Sequence, residues 1–150
     1  MNKRIIVNLS ETEVLIEKII NNLKPGKILG LVGDLGAGKT TFVQILAKKL
    51  GIEDRVNSPT FNLQKLYNCR PTNLGIENLL HVDAYRLASL AELEDIGFFE
   101  YIGNGKTVAV VEWSNQLPEL QDLQNYLEIK FVGIDNPEQR EIEVPEKLLL

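Results

Sequence analysis

Cysteine, histidine, methionine and tryptophan each occur once in the 150 residues, and aromatic side chains make up 7% of them. A single cysteine, Cys69, excludes an internal disulfide framework and any multi-cysteine zinc cluster, which points to a reducing compartment. No apolar run approaches the roughly 18 residues that a membrane-spanning helix needs. The opening stretch MNKRIIVNLS holds too short an apolar segment for a secretion signal, so a cytoplasmic location is expected. Positive charge is also scarce. Lys and Arg number 16 against 21 Asp and Glu, a formal net charge of −5. That balance lacks the basic stripe of an autonomous nucleic-acid binder. The remainder, 44% hydrophobic and 25% charged, is that of an ordinary globular protein, and the length suits one domain spanning residues 1–150.

Hydrophobic patterning divides the chain into short elements. Ile5–Val7 reads as a first strand. Ser10 stands three residues before Glu13, a capping-box spacing, and the apolar positions Leu15, Ile19 and Leu23 recur at helical intervals. A helix over 11–23 is expected, ended by Lys24-Pro25-Gly26. Ile28–Val32 reads as a buried strand, followed by a glycine-rich turn and a helix over 39–50 closed by Gly51. Further strands are expected at 61–67, 78–82, 106–111, 126–132 and 140–144, with a loop at 68–76 and a short helix at 89–96. There is no internal repeat or linker. Strand, turn and helix in succession open an α/β domain, and the expected fold is a mostly parallel central sheet with added antiparallel strands, flanked by helices.

The most specific feature is Gly33-Asp34-Leu35-Gly36-Ala37-Gly38-Lys39-Thr40, a complete G-x-x-x-x-G-K-T. Its composition follows from its chemistry. Backbone N–H groups must converge on a phosphate, and glycines permit both the dihedrals and the close approach. The helix beginning at Lys39 adds free N–H groups and the positive end of its dipole. In such a P-loop the lysine reaches the β- and γ-phosphates and the threonine hydroxyl binds magnesium, which assigns those roles to Lys39 and Thr40.

Nucleotide hydrolysis also needs a carboxylate near the metal and a group that positions water. Asp83 follows the apolar run Leu79-Leu80-His81-Val82, and Glu112 follows Val108-Ala109-Val110-Val111. Ligands of open α/β sheets bind at the carboxyl ends of strands, so both acids are candidates, and spacing does not say which holds the metal. Asn57-Ser58-Pro59-Thr60 lies where related NTPases carry a mobile γ-phosphate sensor, although Ser-Pro is equally a plain turn. His81, with no partner pattern around it, reads as a hydrogen-bonded structural residue. Trp113 suits either packing or stacking on a base. Arg140 suits a surface ion pair. Cys69 receives no role.

A guanine-specific GTPase would carry an N/T-K-x-D element and a D-x-x-G switch, and neither occurs. A small-molecule kinase shares the phosphate loop, and the stretch from His81 to Arg86 could serve as its acceptor site, but the chain leaves little length for a lid. A binding module without turnover is the third alternative.

The ordered set of the phosphate loop with Thr41-Phe42, Ser58-Pro59-Thr60-Phe61, His81-Val82-Asp83-Ala84-Tyr85-Arg86-Leu87, Glu92-Leu93-Glu94 with Gly97, and Val111-Glu112-Trp113-Ser114 resembles the TsaE (formerly YjeE) family along essentially the whole chain. The resemblance implies a P-loop NTPase-like fold. It also implies an ATPase, slow alone, that works with TsaB and TsaD in placing a threonylcarbamoyl group on the tRNA adenosine beside the anticodon, with tRNA met only indirectly. It implies Mg2+ with ATP or ADP as cofactor, with Thr40 and Glu112 serving the metal and Asp83 supporting hydrolysis. Lys39 would bind phosphates and Thr60 would belong to a first switch. Asp34, Leu35, Gly36, Ala37, Gly38, Lys39, Thr40 and Thr41 would contact ATP, with Ser10, Glu11, Thr12 and Arg140 near the base and Trp113 at a second switch. Phe61 and Val82-Asp83-Ala84 depart from the usual Tyr and Phe-Asp-Leu of the family while keeping its polar chemistry.

Overall fold

The structure, a computed structural model, describes all residues except Leu35, Thr60, Phe61, 71–73 and 134–135. Among the described residues, seven strands form one sheet: β1 (Asn2–Val7), β2 (Ile28–Val32), β3 (Gln64–Asn68), β4 (Asn78–Asp83), β5 (Thr107–Glu112), β6 (Tyr126–Val132) and β7 (Arg140–Pro145). Their spatial order is β1-β7-β6-β2-β5-β4-β3. The central neighbours β6, β2, β5 and β4 run parallel, whereas β1 and β7 on one flank and β3 on the other pair antiparallel. The expected mixed sheet is therefore present.

Both faces of the sheet are covered, which is why its central strands read as continuous apolar runs. Helices α1 (Leu9–Asn21) and α2 (Lys39–Lys49) cover one face, where Leu29, Leu31, Leu79, Val108 and Val110 join Ile16, Ile19, Phe42 and Leu46 in one core. On the other face lie α3 (Leu90–Asp95), α4 (Phe98–Ile102) and the 3₁₀ turns Ser114–Gln116 and Pro118–Asp122. There Ile28, Leu80, Val82, Ala109 and Val111 pack with Leu93, Phe98 and Leu120. Alternate residues of one strand thus feed two cores, as the two-residue period of a strand requires.

Three expectations change. Helix α1 starts at Leu9, and its capping box is Asn8 with Glu11, not Ser10 with Glu13. The Asn8 side chain accepts the Glu11 N–H at 2.8 Å, and the Glu11 carboxylate accepts the Asn8 N–H at 3.1 Å. Asn8 follows the buried Val7 at the end of β1, so the chain turns into the helix two residues earlier than the Ser10 spacing suggests. The strand expected at 61–67 begins only at Gln64, because Leu63 takes a left-handed φ of 64° and its N–H bonds the Pro59 carbonyl. The five-residue α4, entered through a left-handed Gly97, is too short to show a helical period in sequence.

Candidate nucleotide site

The parallel strands end side by side: Leu31 of β2 lies in register with Glu112 of β5, and Glu112 with Asp83 of β4. The phosphate loop leaves β2 at the same edge and enters α2 through Gly38, whose φ of +103° is open to glycine but strained for other residues. Residues 36 and 38–41 of the loop and helix, with Ser58, Asp83, Tyr85, Glu112, Trp113 and Arg140, line a cleft of about 390 Å³. The strand-end acids and the phosphate loop therefore share one opening.

Within it the charged side chains are held by one another. Lys39, 5% exposed, donates to the carbonyls of Gly33 and Asp34, the latter at 2.9 Å. Its ammonium also lies 4.1 Å from the Trp113 ring centroid. Burial lowers the Lys39 pKa, and Glu112, Asp34 and Asp83 oppose that shift. Glu112, 3% exposed, accepts from the Thr40 hydroxyl at 3.1 Å on Oε1. On Oε2 it meets the Ser58 hydroxyl at 3.2 Å and His81 Nε2 at 2.6 Å. Burial pushes the carboxyl up, but the donors from His81, Thr40 and Ser58 outweigh it and hold its pKa below the usual value. Asp83 Oδ1 accepts the Tyr85 N–H at 3.0 Å, which turns the chain so that the Tyr85 ring lies 5.0 Å from that of Trp113.

Trp113 has a left-handed φ of 59°, uncommon for an aromatic residue. Two anchors hold the turn. Its N–H donates to the Leu31 carbonyl at 3.0 Å, and the next residue, the buried Ser114, bonds the Tyr126 hydroxyl at 2.7 Å. That bond passes over Gly30, where a Cβ would lie 2.0 Å from the Tyr126 oxygen, so the central strand needs a glycine there.

A second cleft of about 460 Å³ adjoins the first and shares Gly38, Thr41 and Arg140 with it. Its walls are Val7 to Ser10 and Thr12 on one side, Phe42, Phe131 and Ile142 beneath, and Pro137 and Glu138 opposite. Arg140 stands over the phosphate loop at the junction: a Cβ on Gly38 would lie 3.0 Å from its Nε.

Of the residues named from sequence, Gly36, Gly38, Lys39, Thr40, Thr41, Asp83, Glu112, Trp113 and Arg140 meet in the first cleft, and Ser10 and Thr12 line the second. The Asp34 carbonyl holds Lys39, while Ala37 is buried in the core and the Glu11 carboxylate is spent on the helix cap. Leu35 and Thr60 lie outside the described residues. Tyr85 was not singled out in sequence, although it stands two residues after Asp83. Phe131, Pro137 and Glu138 carry no motif that would have found them. Burial pushes the Cys69 thiol up to about 11, which leaves it protonated and unreactive at neutral pH.

A family profile described as "Threonylcarbamoyl adenosine biosynthesis protein TsaE" matches residues 6–142. The chain belongs to the TsaE family. The tRNA threonylcarbamoyladenosine biosynthesis protein TsaE of Bacillus subtilis is 42% identical over 133 residues, which cover 88% of this chain and 79% of that protein. The protein of the same name in Aquifex aeolicus is 39% identical over 117 residues, 76% of this chain and 78% of that one. The crystal structure of Bacillus subtilis YdiB superposes with a TM-score of 0.68 at 33% identity, covering 96% of this chain and 86% of that chain. The TsaE match spans the loop, both strand-end acids and Arg140, so all of the first cleft lies within it.

Proposed function

We propose that this TsaE-family chain is a Mg-ATP-hydrolysing switch subunit in the threonylcarbamoylation of the tRNA adenosine beside the anticodon, acting with TsaB and TsaD. The observation that carries the hydrolase reading is the 3.1 Å approach of Thr40 Oγ1 to Glu112 Oε1 at the mouth of the phosphate loop. Magnesium takes octahedral oxygen ligands at about 2.0–2.1 Å, so ligands on adjacent vertices lie about 3 Å apart. The Thr40 and Glu112 oxygens fit that edge. Among the described residues no group of three or more His, Cys, Asp or Glu side chains could cage a metal. That suits an ion completed by water and phosphate rather than by protein alone.

Lys39 would leave the Gly33 and Asp34 carbonyls for the β- and γ-phosphate oxygens, where it gains a full negative charge in exchange for two carbonyl dipoles. Backbone N–H groups of the loop and the start of α2 would hold the remaining phosphate charge. Bound magnesium would supply neutralisation of the charge that develops on the β- and γ-oxygens. Asp83, at the neighbouring strand end, would accept a hydrogen bond from the attacking water. The water oxygen then bonds to the γ-phosphorus as the bond to the β-bridging oxygen breaks and one water proton passes to Asp83 and on to solvent, giving ADP and phosphate. The apolar second cleft suits the base. Its polar rim of Asn8, Ser10 and Thr12 and the junction residue Arg140 suit the ribose end.

The switch follows from what Lys39 holds. Its departure removes the cation beneath Trp113 and frees that ring and its Tyr85 neighbour to rearrange. The net charge of −5 gives no attraction to tRNA, so the signal would pass through protein partners. Phosphate release from Mg-ATP, measured with and without purified TsaB and TsaD, tests the proposal. Stimulation by the pair, lost in Lys39→Ala, is the expected result. ATP binding with no stimulation would overturn the partner-coupled ATPase and favour a kinase, to be pursued by an acceptor screen.

A further inference from the structure

We infer that His81 is a positioning residue that fixes the Glu112 carboxylate so that Oε1 is presented beside the Thr40 hydroxyl. The inference rests on the proposed Mg-nucleotide site and names a component of it outside the strand-end acids and the loop. His81 lies on the interior strand β4, on the same face as Leu79 and Asp83, and is 0% exposed. Its Nε2 is 2.6 Å from Glu112 Oε2, the shortest hydrogen bond of that carboxylate among the described residues. An ionised carboxylate only accepts, so the hydrogen of this bond sits on Nε2. The second ring nitrogen, Nδ1, is buried and has no hydrogen-bond partner among the described residues.

That orphaned nitrogen separates a positioning role from a packing one. The neighbouring same-face positions Leu79, Val108 and Val110 are apolar and buried, so a hydrocarbon side chain would fill this place without leaving a polar atom unsatisfied. The cost of burying Nδ1 is offset only at Nε2, where the ring donates to Glu112. The other two donors cannot do the same work. Ser58 lies outside the helices and strands, and the Thr40 hydroxyl bonds the oxygen that faces the metal position. His81 alone approaches from a strand paired on both sides, by β5 and β3. A ring N–H bonded to the far oxygen of a carboxylate orients it, as outer partners of metal ligands do.

The test uses Mn2+ with ADP on the full chain, read by electron paramagnetic resonance of free Mn2+. ADP binding in EDTA is followed through Trp113, the one tryptophan in the chain. Loss of a partner that orients a metal ligand costs about 10- to 100-fold in metal affinity. His81→Phe should therefore bind Mn2+ about tenfold or more weakly while binding ADP in EDTA within about twofold of wild type. His81→Gln, whose amide nitrogen reaches the place of Nε2, should return Mn2+ affinity to within about threefold of wild type. His81→Asn, whose amide stops near the place of Nδ1, should not. This polar pair decides the question even where the Phe variant fails to fold. Equal Mn2+ affinity in the Gln and Asn variants would overturn the inference, as would a Phe variant that binds Mn2+ like wild type. Parallel loss of metal-free ADP binding would overturn it too, since that marks a general structural role. If wild type itself binds ADP with no dependence on Mn2+, the proposed Mg-nucleotide site fails and this inference with it. A metal-dependent wild type with an equally metal-dependent Phe variant fails the inference alone.

Discussion

The two adjoining clefts are built in opposite ways. In the first, the Lys39 ammonium, the Glu112 carboxylate and the Thr40 and Ser58 hydroxyls are engaged with one another, with nearby carbonyls or, for Glu112, with the buried His81 Nε2. In the second, Val7, Phe42, Phe131 and Ile142 are among the lining residues, and these same residues belong to the core beneath α1 and α2. The first cleft can be rearranged by exchanging hydrogen bonds with a ligand at little cost to the fold. The second cannot be altered without altering the core. Chemistry and switching are therefore expected from the polar cleft, and shape selection from the apolar one.

Substitutions that separate activity from stability test this division. The largest effect is expected at Phe131, which is 5% exposed and meets Phe42 edge-on at 5.5 Å between centroids. Phe131→Ala should lose about 3–5 kcal/mol of stability, as truncation of a buried phenylalanine does. Urea unfolding measures this, and a loss below about 1 kcal/mol would show that the second cleft is not part of the core. Lys39→Ala should do the reverse. Phosphate release should fall by about 10²–10³-fold, as when one preorganised donor to the transition-state charge is removed. Its urea midpoint should stay near that of wild type, because the residue leaves no cation behind and its partners are carbonyls at the cleft edge. A variant that loses stability and activity together would erase the distinction between the clefts.

The same contrast explains what could be read in the sequence. The loop over 33–40 was legible because its glycines, lysine and hydroxyl stand at the fixed offsets that cradling a phosphate would require. Asp83 and Glu112 were legible as acids that close apolar strands. The sequence also fitted all seven strands, but not their order, since pairing of β6 with β2 or β5 with β4 leaves no period in the chain. From sequence His81 reads as a hydrogen-bonded structural residue, and it is hydrogen-bonded, but to a carboxylate 31 positions away that only the β4–β5 register brings near. The second cleft left no signal of its own, because Phe42, Phe131 and Ile142 obey the same periodicity as any core residue. The helix cap shows the local limit. Asn8 with Glu11 and Ser10 with Glu13 have identical spacing, and the end of β1 at Val7 decides between them.

Gly38 belongs to both clefts and tests whether they act as one site. Gly38→Ala places a side chain at a left-handed φ of +103°, a strain of about 1–2 kcal/mol, and brings its Cβ to 3.0 Å from Arg140 Nε. That strain is common to the free and bound states, so it lowers stability, whereas ATP affinity by calorimetry should fall about tenfold through displacement of the arginine, the worth of one charged hydrogen bond. Adenosine, which lacks phosphates, should lose affinity as well if Arg140 serves both clefts. Unchanged adenosine binding would confine the role of the junction to the phosphate side.

The smallest effect concerns the pH dependence of stability without metal. Burial alone would raise the Glu112 pKa, and its three donors reverse the shift. A carboxylate with a depressed folded pKa contributes stability that is fully present above its unfolded value, near 4.5, and is lost as pH falls through the lower folded value. In EDTA, the difference in unfolding free energy between wild type and Glu112→Gln should therefore stay flat from about pH 8 to pH 5. It should move against wild type only below about 4.5. A difference that already drifts near about pH 6 would mean that burial prevails over the donors. The polar cleft would then hold a protonated acid at rest, and the contrast with its apolar neighbour would lose its basis in charge.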